Sequence, residues 1–232
     1  MYNLRLKLIL LADSFTITPL NETAALVSFG NIIDVDVNKK VIALHHKLCQ
    51  ESFDGFIESV PAYSSLAIFY RNNSFDFVKD FLVTLIKSQA SSESHGSMVE
   101  LPVLYDGDDL DSVAQLHHLS REKVIEIHTS KSYRVFMLGF LPGFPYMGTV
   151  DQRIATARKN SPRTIVPAGS VGIAGMQTGI YPQASPGGWQ LIGRTPLKIF
   201  DVNKEPTCLL SPGGSVKFYS ISKTEFEKLN EY

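Results

Sequence analysis

Apolar positions recur along this chain with two periods, and the switch between them lays out its elements. Residues 24–29 are apolar or small and predict a strand, with residues 15–18 as hairpin partner and Asn21-Glu22 in the turn. Asp36 then stands where it can cap a helix in which Val41, Leu44 and Leu48 recur at helical spacing. Residues 56–60 and 65–70 read as two further strands joined around Pro61. Ser74 can cap a second helix that places Val78, Phe81, Leu82 and Leu85 on one face. The order β-β-α-β-β-α predicts a small α+β domain over residues 15–87.

Residues 88–97 hold five serines, one glycine and no large apolar residue, which is the composition of a linker. Residues 98–232 form the second predicted domain. It opens with a strand over 99–104, two short helices over 110–118 and 121–128 (the second capped by Ser120), and a strand over 133–138. Beyond that only short strands separated by Gly and Pro are legible, the pattern of a closed or nearly closed, mainly-β barrel. Residues 1–14 are an N-terminal extension. Its apolar stretch 8–12 follows Arg5 and Lys7, like a signal peptide, but it is short and lacks a clean small-x-small site. Leu4, Leu6 and Leu8 alternate with Arg5 and Lys7, which predicts a strand or a loose extension.

Composition narrows the function classes. With 44% hydrophobic and 19% charged residues, the 232-residue chain can bury a core. A net charge of −1 gives no electrostatic reason to expect nucleic acid or an anionic membrane as partner. No apolar run is long enough to span a bilayer. The two cysteines, Cys49 and Cys208, are far apart, which reads as a reducing, cytoplasmic setting.

Residues 139–196 are a quarter of the chain but hold 10 of its 16 glycines and 7 of its 12 prolines, so many turns are set there. The same segment carries Arg153, Arg158, Lys159, Arg163 and Arg194 against Asp151 alone, a local net of +4 on an otherwise acidic protein. That charge favours a carboxylate, a phosphate or an acidic partner surface, and arginine binds such oxyanions through a planar fork. Arg153, Arg158 and Lys159 also read as ordinary surface charge. Phe140, Phe144, Tyr146, Tyr181 and Trp189 each sit within one residue of a Gly or Pro; they can wall a pocket or plug a barrel end.

Four blocks in this segment carry a resemblance. Gly139-Phe140-Leu141-Pro142-Gly143-Phe144-Pro145-Tyr146-Met147-Gly148 comes first. Ser161-Pro162-Arg163 with Val166-Pro167-Ala168-Gly169-Ser170-Val171 is the second. Ile173-Ala174-Gly175-Met176-Gln177 with Gly179-Ile180-Tyr181-Pro182 is the third, and Ser185-Pro186-Gly187-Gly188-Trp189 with Ile192-Gly193-Arg194-Thr195-Pro196 the fourth. In order and spacing they resemble the family of the 5-oxoprolinase subunit PxpB, the kinase inhibitor KipI and allophanate hydrolase subunit 1, and the likeness extends more weakly over residues 15–222.

The resemblance implies an α+β N-terminal domain followed by a cyclophilin-like barrel. It implies a non-autonomous subunit of an ATP-dependent 5-oxoprolinase that opens 5-oxoproline to glutamate. ATP with Mg would act in the assembled complex, beside a second cyclophilin-like subunit of the PxpC or KipA type and a lactam-binding subunit of the PxpA type. The alternatives it implies are an inhibitor that binds a sensor histidine kinase, or a subunit of a urea- or allophanate-degrading enzyme. On this view Arg163 and Arg194 converge on one basin and hold a carboxylate or phosphates.

No G-x-x-x-x-G-K-[ST] phosphate loop is present, so no ATP turnover is expected from the chain alone. His128, at a helix end where the dipole favours its charged form, is a candidate acid or base, or else a capping or core residue. Gln177 can orient an amide or a carboxylate, or satisfy buried backbone groups. Asp109 reads as a helix cap, and His117-His118 as partners of the carbonyls at the end of their helix. His45 and Cys49 lie four apart without a nearby third ligand, so no metal is expected.

Overall fold

A computed structural model describes residues 15–88 and 96–230, so the 1–14 extension and most of the serine-rich linker lie outside the described residues. The chain divides into two compact units, residues 1–94 and 95–232.

In the first unit β1 (Thr16–Asn21) and β2 (Ala24–Ser28) form a hairpin, followed by α1 (Val35–Gln50), β3 (Phe56–Pro61), β4 (Ser65–Tyr70) and α2 (Phe75–Lys87). The strands make one antiparallel sheet in the order β1-β2-β4-β3. Leu66, Ile68 and Tyr70 are buried while Ser65, Ala67 and Phe69 between them are only half-buried, so one face carries the core. Val41, Leu44 and Leu48 of α1 and Val78, Leu82 and Leu85 of α2 close over that face. Asp34, rather than Asp36, caps α1: its Oδ1 accepts the N–H groups of Asp36 at 2.8 Å and Val37 at 3.0 Å. Asp36 instead pairs with Lys39 in the first turn. Ser74 caps α2 as its position predicts. Pro61 continues β3 because that strand is at the sheet edge, where a missing N–H is tolerated.

The second unit begins with β5 (Met98–Val103), α3 (Leu110–Leu116), α4 (Arg121–Thr129), β6 (Ser132–Leu138) and β7 (Pro145–Gly148). It continues through β8 (Arg163–Val166), β9 (Ser170–Ala174), β10 (Gln177–Ile180), β11 (Ser185–Gly187), β12 (Gln190–Arg194), β13 (Ser215–Ser220) and α5 (Lys223–Asn230). Seven strands form one curled sheet in the order β12-β9-β10-β7-β6-β13-β5, mixed because β13 runs parallel to β5. Strands β8 and β11 pair separately. The core holds Leu101, Val135, Ile173, Ile180 and Phe218 from the sheet, with Leu110, Val113, Val124 and Ile127 of α3 and α4 packed into it. Helix α5 is an element the strand-only reading misses; its start is a reciprocal cap in which Glu225 accepts from Ser222 N–H and the Ser222 hydroxyl accepts from Glu225 N–H.

The two outer strands of the curled sheet meet at one point. Leu104, just past β5, and Arg194, the last residue of β12, exchange two backbone hydrogen bonds of 2.9 Å. This close approach requires the absence of a side chain at Gly193, where a Cβ would lie 2.7 Å from the Leu104 carbonyl oxygen and 2.8 Å from Val103 Cγ1. Gly193→Ala should therefore lower unfolding free energy by about 1–3 kcal/mol, the usual cost of overpacking. Urea denaturation checks this, and an unchanged midpoint contradicts the tight closure.

Candidate functional site

The glycine- and proline-rich segment folds its aromatic residues into a single cluster. Phe144, buried, is the hub: its ring centroid lies 5.6 Å from Phe140, 4.9 Å from Tyr146, 5.2 Å from Tyr181 and 5.3 Å from Trp189, all edge-to-face. Val166 and Leu191 complete this small second core beside the main one. All five aromatics singled out in the sequence thus come together. Burial raises the hydroxyl pKa of Tyr146 and of Tyr181.

Three cations of the same segment, Lys159, Arg163 and Arg194, are met by acids from outside it. The stretch Asp106-Gly107-Asp108-Asp109 runs alongside β12, with Gly107 N–H on the Ile192 carbonyl at 3.3 Å and Asp109 N–H on that of Leu191 at 2.9 Å. Asp109 heads α3 but makes no side-chain cap there. Its buried carboxylate instead accepts Arg163 Nη2 at 2.7 and 2.8 Å, Lys159 Nζ at 2.7 Å and the Leu191 backbone N–H at 2.7 Å. Burial alone pushes the Asp109 carboxyl up; the hydrogen bonds from Arg163, Lys159 and Leu191 outweigh it and hold the pKa below the ordinary value. Lys159, read from sequence as surface charge, is part of this cluster. Arg194 is engaged in the same way by Asp106, through Nε at 3.2 and 3.1 Å and Nη2 at 2.8 Å, and its guanidinium lies 4.6 Å from the Phe226 ring of α5. Arg153 pairs with its neighbour Asp151, and Arg158 is exposed.

A cleft of about 580 Å³ opens beside Arg194. The Pro167–Ser170 turn, Tyr181, the 194–199 stretch and Phe226 and Asn230 of α5 line it. Its size suits a small ligand. Arg194 and Tyr181 are thus on the cleft, whereas Arg163, Phe140, Phe144, Tyr146, Trp189, His128 and Gln177 are not among its lining. Of the two arginines expected to share one basin, Arg194 lines this cleft and Arg163 does not, and each is paired with a different acid of the 106–109 stretch. Sequence reasoning missed Asp106, Lys198 and Phe226; the run of acids just after a strand was the available signal for the first.

His128 lies in the core, fully buried. Its ring stacks against both Tyr133, at 5.2 Å, and Phe218, at 4.8 Å, whose own rings are 5.7 Å apart. Thr178 donates its hydroxyl proton to the Gly172 carbonyl at 3.0 Å, so it accepts from His128 Nε2–H at 3.0 Å, and Nδ1 accepts the Tyr105 hydroxyl at 2.7 Å. Burial pushes the imidazole down to about 3, overriding the helix dipole that by itself favours the charged form. Gln177 begins β10, half-buried and opposite Gly148 and Ala174. The backbone N–H groups of His117 and His118 bond the Val113 and Gln115 carbonyls at the end of their helix, both at 3.2 Å, while the His117 ring meets the Thr156 hydroxyl at 2.9 Å. His45 meets Ser59 at 2.8 Å, and among the described residues no three His, Cys, Asp or Glu side chains gather as a metal site.

The neutral, buried state of His128 fixes a pH dependence. Below about pH 6.5 the unfolded chain takes up a proton that the folded chain refuses until about pH 3. Stability should therefore fall across that window by about 1.4 kcal/mol per pH unit from this residue. His45, lowered by burial and by His46, adds to the same slope. His128→Gln should remove about one proton's worth of the slope in urea unfolding between about pH 6 and pH 4; an identical slope contradicts the assignment.

Comparison with known proteins places this geometry in a family. Residues 15–210 match the family described as carboxyltransferase domain, subdomain C and D. The B-type subunit of 5-oxoprolinase from Bacillus subtilis (strain 168) is 43% identical over 233 residues, spanning 94% of this chain and 97% of that protein. The crystal structure of a conserved uncharacterized protein from Pyrococcus horikoshii is 45% identical, with a TM-score of 0.55 over 91% of this chain and 100% of that one. The urea amidolyase of K. lactis, 23% identical with a TM-score of 0.75, covers 95% of this chain but only 16% of its own length, a likeness of fold alone. On sequence and fold together, the chain belongs to the carboxyltransferase subdomain C and D family.

Proposed function

We propose that this chain is the B-type subunit of an ATP-dependent 5-oxoprolinase, a complex that adds water across the lactam C–N bond of 5-oxoproline to give glutamate. The observation that carries the reading is the 43% identity to a B-type 5-oxoprolinase chain across nearly the whole of both proteins. The second unit, a curled sheet with its edges joined at one bridge, is then a cyclophilin-like barrel and the first a small α+β domain.

The chain works with other chains on this reading: a second cyclophilin-like subunit and a lactam-binding subunit, in the cytoplasm. Among the described residues no helix is long and apolar enough to cross a membrane. ATP with Mg enters through the assembly. The described residues do not by themselves suit a magnesium nucleotide, since the cleft cations Arg194 and Lys198 are already paired with Asp106 and Asp201 and no three acids gather for a metal. Arg194 is the residue of this chain assigned to an anionic group of the substrate. Asp106 occupies its Nε and Nη2, which leaves Nη1 for a ligand carboxylate in the cleft.

Mixing the purified chain with its two partner subunits should give ATP-dependent glutamate release from 5-oxoproline, while the chain alone should neither release glutamate nor hydrolyse ATP. Glutamate release that needs no partner contradicts the subunit reading. Turnover of urea or allophanate in place of 5-oxoproline, or loss of a histidine kinase's autophosphorylation as the chain's only effect, overturns the substrate assignment.

A further inference from the structure

The cleft beside Arg194 contains a polar group that folding alone leaves unanswered. Ser170 opens β9 and lines the cleft, yet it is only 5% exposed. Among the described residues its hydroxyl has no hydrogen-bond partner. The Tyr70 hydroxyl is also unpartnered but sealed from solvent; that of Ser170 opens on the cleft. Burying a hydroxyl without a partner costs free energy, so folded proteins rarely keep one that has no use.

The fold holds this hydroxyl still and turns it to the same side as Arg194. Ser170 and Arg194 face each other across the antiparallel strands β9 and β12, so their side chains leave the sheet on one face. The opposite face takes Val171 and Ile173 into the core. Ser170 N–H bonds the Pro167 carbonyl at 3.3 Å, and the Ser170 carbonyl accepts the Tyr181 N–H at 2.9 Å. Gly169 before it has φ +81° and lies against Thr195, where a Cβ would be 2.5 Å from the carbonyl oxygen. Asp106 fixes Arg194 through Nε and Nη2, and Phe226 backs its guanidinium. The Ser170 hydroxyl and Arg194 Nη1 are thus two hydrogen-bonding groups ordered before any ligand arrives.

Charge and lining define what fits between them. Of the charged residues on the cleft, Arg194 and Lys198 balance Asp106 and Asp108, so there is no surplus positive charge for a phosphate. A single carboxylate can take the free edge of Arg194. Pro167, Pro182, Pro196, Leu197 and Ile199 add apolar surface suited to ring methylenes. What the Ser170 hydroxyl still requires is a polar atom of the ligand, close to that carboxylate. We propose that Ser170 is a substrate-binding residue for a small cyclic amide bearing one carboxylate, its hydroxyl donating to the lactam carbonyl while Arg194 Nη1 holds the carboxylate. Naming this ligand as the substrate rests on the hydrolase function proposed above.

The test compares two ligands on the full chain: 5-oxoproline, and cyclopentanecarboxylate, which keeps a five-membered ring and the carboxylate but lacks the amide. Affinities are read from amide NMR shifts for the unmodified chain and for Ser170→Ala. The unmodified chain should prefer 5-oxoproline by at least about tenfold, the penalty for leaving a polar group of the site unpaired. Ser170→Ala should shrink that preference to within about threefold and leave cyclopentanecarboxylate binding unchanged within the same factor. Its unfolding temperature should stay within about 3 °C of the unmodified chain or rise, because the hydroxyl it removes had no partner. A larger fall makes Ser170 a structural residue and overturns the assignment. Equal affinity of the unmodified chain for both ligands, or a preference that survives Ser170→Ala, overturns it as well, as does the absence of 5-oxoproline binding below about 10 mM. The assembled complex separates this proposal from the hydrolase reading. With both partner subunits present, Ser170→Ala should raise KM for 5-oxoproline at least about tenfold. A KM within about threefold of the unmodified assembly overturns the role of Ser170 and leaves the hydrolase reading intact. No glutamate release from the unmodified assembly overturns the hydrolase reading and, with it, the naming of this ligand as the substrate.

Discussion

The Asp109 carboxylate joins three stretches of chain that are far apart in sequence. It receives Lys159 and Arg163 from the segment before and within β8, the Leu191 N–H from β12, and it heads helix α3. A buried charge is costly unless its oxygens are paired, and here Oδ1 accepts from Lys159 and Arg163 and Oδ2 from Arg163 and Leu191. Leu191 belongs to the aromatic cluster and also lines the cleft, so the geometry of both follows from where Asp109 holds β12. Three residues earlier, Asp106 does the same for Arg194 at the cleft mouth.

This arrangement changes the electrostatic character that the sequence suggests. A segment whose local charge is +4, with its own Asp151 already counted, falls to +2 once Asp106 and Asp109 are folded against it. What remains at the cleft is one arginine edge, stacked on Phe226, rather than a broad cationic field. Such a site selects by shape and by one directed hydrogen-bonding group more than by long-range attraction. The aromatic cluster behind it supplies rigidity.

Elements with strong local periodicity were legible from sequence. The spacing of Leu44 and Leu48, or of Val78 and Leu82, is enough to orient α1 and α2 because those helices bury one face. The five aromatic residues were legible as a group because the turns around them are written in glycine and proline. The pairing of charges was not, since 54 residues separate Asp109 from Arg163 and 88 separate Asp106 from Arg194. For the same reason β13 is placed beside β5 only by the fold. Helix α5 buries little beyond Phe226, so it shows no apolar stripe, although Ser222 and Glu225 carried its cap signal. His128 shows the limit of local reasoning: its place near a helix end is visible in sequence, but the rings that desolvate it come from Tyr133 and Phe218.

The claim that a single buried carboxylate organises the site is most directly tested by a double-mutant cycle on unfolding free energy, with Asp109→Asn, Arg163→Met and the two combined. A buried, multiply bonded pair predicts a coupling of about 3 kcal/mol between the two positions. A coupling of less than about 0.5 kcal/mol, the value of an exposed surface pair, would contradict it.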